Sequence, residues 1–66
     1  MNALFEGHKV SAVECGRKCR MARDKRDENT AQFHKQYFDR VLNLYNSEIE
    51  KRRELQSIYD EAYRSV

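Results

Sequence analysis

The chain contains no proline, only two glycines and two cysteines, and no apolar run longer than Ala3-Leu4-Phe5. Each scarcity removes a class of protein. Beyond Gly16 no residue is Gly or Pro, so nothing in the remainder of the chain forbids helix, and no stretch favours a strand. Two thiols are too few for a disulfide framework, and with His8 and His34 as the other soft donors no tetrahedral zinc quartet is visible. The apolar runs fall far short of the roughly 18 to 20 residues of a membrane span and of the about 7 to 15 of a signal sequence. A cytoplasmic chain with no membrane partner is the expectation. No Gly-rich loop is present to cradle phosphate, and Ser47, Ser57 and Asp60 have no neighbouring histidine to form a nucleophilic triad. Neither an enzyme nor a cofactor is expected.

What remains is a chain of 66 residues, 36% charged and 39% hydrophobic, with a net charge of +2 and a mean hydropathy of −1.02. That is one domain, spanning 1–66. A chain of this size buries only about 60% of its unfolded surface, so self-association is the expected source of extra stability.

From residue 30 to 64 the apolar positions follow a helical period. Phe33, Tyr37, Phe38, Val41, Leu42, Leu44, Tyr45, Ile49, Leu55, Ile58, Tyr59, Ala62 and Tyr63 share an arc of about 200°, and the opposite face is polar. The earlier part of the chain carries a seam of mostly small residues, Leu4, His8, Ala12, Cys15, Cys19, Ala22 and Arg26. A turn at Asp27-Glu28-Asn29-Thr30, with Asn29 and Gln32 at capping-box spacing, would fold one seam onto the other. Cys19 then faces Phe38, Cys15 faces Leu42, Ala12 faces Tyr45 and His8 lies near Ile49, small against large at each layer.

The sequence therefore predicts an all-α two-helix hairpin. Its short first helix covers about residues 3–26, its turn about 27–30 and its long second helix about 30–64. Leu55, Ile58, Tyr59, Ala62 and Tyr63 overhang the first helix in this arrangement, and a second copy would cover them in a four-helix bundle or coiled coil. Glu48 and Arg52 interrupt the apolar arc where the first helix runs out, as a polar layer setting register between chains or as an edge pair. The competing architecture is one continuous helix in a parallel coiled coil. Gly7 is read as marking the start of the first helix and Gly16 as a tolerated cost within it.

Two local patterns bear on function. Arg17, Lys18, Arg20, Arg23, Lys25 and Arg26 surround a single acid, Asp24, giving a local charge of about +5 that could lie along phosphates or an acidic protein. Cys15 and Cys19, one helical turn apart, are weak candidates for a metal or redox pair and better read as small buried apolar groups. The functional expectation is a small helical interaction module, a regulator, inhibitor or adaptor, that forms a homodimer and binds another protein. The alternative is a dimeric nucleic-acid-binding protein using the segment 17–26.

Overall fold

Three helices, not two, build the molecule: α1 (Ala3–Asp24), α2 (Glu28–Asn43) and α3 (Ile49–Arg64). The computed structural model describes residues 3–65, and no strand occurs among them. The expected all-α class holds. The expected long second helix does not, because it breaks at 44–48 and its last four turns fold back along α1.

α1 ends on a left-handed cap. Arg26 has a φ of 60°, which lets its amide reach the Arg23 carbonyl at 2.9 Å and the Asp27 amide reach the Ala22 carbonyl at 2.8 Å. These two bonds close a Schellman motif and satisfy carbonyls that the last turn would otherwise leave unpaired. Asp27, and not Asn29, then caps α2: its carboxylate accepts the Thr30 amide at 3.2 Å and the Thr30 hydroxyl at 2.6 Å. The turn is thus shorter than expected, and the α1–α2 register shifts by about one helical turn. His8 hydrogen-bonds Tyr45 at 2.5 Å instead of lying near Ile49, which is exposed.

The break between α2 and α3 has a side-chain clamp. Arg52 donates from one guanidinium nitrogen to the Leu42 carbonyl at 3.2 Å and to Asn46 Oδ1 at 2.7 Å, tying the end of α2 to the first turn of α3. The Leu44, Tyr45 and Glu48 amides bond three residues back, so the corner keeps part of its backbone pairing. Glu48 takes the N-cap position of α3 without a side-chain cap bond, and its carboxylate pairs with Lys51 at 2.9 Å. Glu48 and Arg52 are therefore corner residues, joined to one another only through the backbone bond from the Arg52 amide to the Glu48 carbonyl.

Folding back forfeits a few helical hydrogen bonds, each worth about 1 kcal/mol net. It covers Leu55, Tyr59 and Ala62 completely or nearly so, where full burial of a large apolar side chain is worth roughly 1.5–3 kcal/mol. That balance decides the architecture. The residues expected to overhang as an interchain patch lie instead in the core of their own chain, with Ile58 and Tyr63 packed partly buried beside them.

α1 is the central helix. α2 runs antiparallel to it and α3 parallel, as the pairs Lys9–Glu54 (3.0 Å) and Arg20–Tyr63 show, while α2 and α3 touch little beyond the corner and Phe38–Tyr59. Gly16 explains how α3 comes so close. A Cβ there would stand 2.6 Å from the Tyr59 carbonyl oxygen and 2.9 Å from Ala62 Cβ, so this glycine is a contact point between backbones and more than a tolerated cost. Gly7, expected to open the first helix, lies inside α1 with open space around it.

Candidate functional site

Most large apolar side chains of α2 are consumed by the core: Phe38, Val41 and Leu42 are buried, as is Ala31. A second set is not. Phe33, Tyr37 and Leu44 are 65%, 50% and 67% exposed and lie on one stripe that runs along α2 to its C-cap, Leu44, on the flank turned away from α3. The sequence reading placed all three in the apolar arc with the core residues. An arc of about 200° is wider than one neighbouring helix can cover, and α1 takes only the part centred on Phe38.

Between this stripe and α1 runs a shallow groove of about 250 Å³, lined by Ser11, Glu14, Cys15 and Lys18 from α1 and by Phe33, His34 and Tyr37 from α2. Its α1 side mixes the small residues Ser11 and Cys15 with the charged Glu14 and Lys18, and its α2 side carries the rings of Phe33, His34 and Tyr37. Phe33 packs edge-on against His34 with centroids 5.3 Å apart, which holds the Phe33 ring at the rim. Met21 adds a half-exposed apolar side chain further along α1.

Cys15 reaches this groove but is buried with Cys19, and both are free thiols. Burial pushes the Cys15 thiol up from its ordinary value, with Lys18 acting weakly in the opposite sense, so the group is held as a thiol and not as a reactive thiolate. Cys19 sits beneath Tyr59. Desolvation, and then contact with the Cys19 sulfur, raises the Tyr59 phenol well above its usual range. Among the described residues no three His, Cys, Asp or Glu side chains converge as a metal site would require.

The basic segment is divided by the fold. Arg20 donates to the Tyr63 carbonyl at 3.3 Å and pairs with Asp24 at 3.2 Å, and Arg23 donates to the Tyr63 hydroxyl at 3.0 Å. Both guanidinium groups also lie over the Tyr63 ring, at 5.5 and 5.6 Å. The Tyr63 hydroxyl accordingly raises the Arg23 pKa further. Arg17, Lys18, Lys25 and Arg26 make no ion pair among the described residues.

No helix among the described residues is long and apolar enough to cross a membrane. Sequence reasoning missed the exposed stripe, although a signal was present: Phe33, Tyr37 and Leu44 recur at four and seven residues, out of phase with the Phe38–Leu42 pair. Comparison of the chain with protein-family models, with curated proteins and with solved structures finds no match.

Proposed function

We propose that this chain is a helical interaction module that acts by binding protein, as a regulator, inhibitor or adaptor and without a catalytic step, and that the outer face of α2 with its groove against α1 is the contact surface. The observation that carries this reading is the exposure of Phe33, Tyr37 and Leu44 on one stripe while Phe38, Leu55 and Cys19 are fully buried. Contiguous exposed aromatic and aliphatic groups mark contact surfaces, and tyrosine and phenylalanine are common anchors there.

A photo-crosslinking amino acid placed at Tyr37, with Ser57 on the exposed side of α3 as control, tests the reading in living cells. Discrete protein adducts from position 37 that are absent from position 57 are expected. Equal adducts from both, or none from either, would overturn it.

The cations Arg17, Lys18, Lys25 and Arg26, which make no ion pair among the described residues, support nucleic-acid binding as the second reading. Binding of a mixed DNA duplex that survives about 300 mM salt and disappears when these four are neutralised would place it first.

A further inference from the structure

α2 carries two seams, and only one of them is used inside the chain. The second runs Thr30, Phe33, Tyr37, Arg40, Leu44, in steps of three, four, three and four. This alternation keeps a stripe aligned along a neighbouring helix and is the spacing of a coiled-coil seam. All five residues are exposed.

We propose that this seam is occupied by the same seam of a second copy of the chain, with the two α2 helices antiparallel across a two-fold axis between Phe38 and Asp39. The inference rests on the reading of this face as a contact surface and names its occupant. A two-fold interface brings one patch against itself, so the patch must be self-complementary. This one is. Phe33 of one copy meets Leu44 of the second copy at each end, and Tyr37 meets Arg40 on either side of the axis.

The charge pattern selects this partner. Arg40 makes no ion pair or hydrogen bond among the described residues, and its neighbour Asp39 is already held by Lys35 at 3.2 Å. A guanidinium without a carboxylate, one turn from an exposed tyrosine ring, finds a cation–π partner in Tyr37 of the second copy, and the contact forms twice. The solvent-side flanks of the seam are Asn29, Gln36 and Asn43, all uncharged amides, so the flanks bring no like charges together; the two Arg40 lie about 4.5 Å apart along the axis, each over the second copy's Tyr37. A seam from Thr30 to Leu44 is about 21 Å long, smaller than a permanent interface requires. The dimer is therefore concentration-dependent.

Sedimentation equilibrium of the full chain across a range of concentrations tests the inference. The native chain should move from monomer to dimer, and Tyr37→Glu should remain monomeric, with unchanged helical circular dichroism and a Tm that matches the native chain's at concentrations where the native chain is itself monomeric. The antiparallel register is tested by disulfide trapping. Chains carrying Phe33→Cys and Leu44→Cys, mixed and mildly oxidised, should form a mixed crosslink, whereas either alone should not, since two copies of position 33 would lie about 16 Å apart along the axis. Crosslinking by Phe33→Cys alone, or a Tyr37→Glu chain as dimeric as the native one, would overturn the inference. A native chain that stays monomeric while position 37 still crosslinks to a different protein in cells would overturn the second copy and leave the contact surface standing. Failure of both experiments would remove both readings.

Discussion

Phe38 and Tyr59 stack with ring centroids 4.4 Å apart and planes inclined by 15°, an aromatic pair that joins α2 directly to α3. Phe38 is fully buried, and Tyr59 reaches Cys19 on α1 from above, so all three helices converge on this pair. Phe38→Ala is expected to lose about 3–5 kcal/mol, enough to unfold a domain of this size, whereas Tyr59→Phe should lose less than about 1.5 kcal/mol. Urea denaturation followed by circular dichroism measures both.

The two glycines of α1 should respond to alanine in opposite directions. At Gly16 the new methyl group collides with the backbone of α3, and a loss of about 1–3 kcal/mol is expected despite alanine's better helix propensity. At Gly7 a Cβ meets nothing within 4 Å, so only the propensity gain remains, up to about 1 kcal/mol of added stability. Equal effects of the two substitutions on the urea midpoint would contradict the close approach of α1 and α3.

Arg26 holds a φ of 60°, a region that an L side chain enters at a cost of roughly 1 kcal/mol and glycine enters freely. Arg26→Gly should raise the thermal midpoint while leaving the fold unchanged. Arg26→Val, with a branched Cβ in the same conformation, should lower it.

The cap at Asp27 makes part of the stability pH-dependent. Hydrogen bonds from the Thr30 hydroxyl and then the Thr30 amide hold the carboxylate below its ordinary pKa. A depressed carboxylate stabilises the fold above its unfolded pKa, and that contribution fades as pH falls through the folded value. The Tm difference between the native chain and Asp27→Ala should be several degrees near pH 7 and should shrink steadily below about pH 4. A difference that does not change with pH would show that the charge contributes nothing.

How far the sequence could be read follows from which interactions leave a local trace. The helical class follows from the absence of Gly and Pro beyond Gly16 and from the apolar period. The first turn was legible in the polar run Asp27-Glu28-Asn29-Thr30, although the cap was placed on Asn29, two residues beyond Asp27. Burial of Cys15 and Cys19 against large residues followed from the small seam. The break at 44–48 was hidden because Leu44, Tyr45 and Ile49 keep the helical rhythm across it, while the force that bends the chain comes from α1, far away in sequence. Its trace was Asn46 and Ser47 beside the polar interruption at Glu48, Arg52 and Gln56, where the apolar arc is weakest. Gly16 gave no warning for the same reason: a close approach belongs to two helices, and one strand of text shows only one of them. The stripe at Phe33, Tyr37 and Leu44 looked like core because apolar character alone does not say whether a neighbour exists.

The parallel arrangement of α1 and α3 sets an order of assembly. α1 and α2 are joined by three residues and can zip together from the Arg26 turn outward, with contacts that close short loops. Docking of α3 closes a much longer loop, because Lys9 and Glu54, or Gly16 and Ala62, meet across nearly the whole intervening chain. The topology predicts that the hairpin forms first and that α3 docks onto it last, an order that φ-values at Phe38 and Leu55 would read. Were α3 to detach, Leu55 and Tyr59 would be bared together with the small-residue seam of α1, and cleavage by a protease would report that opening.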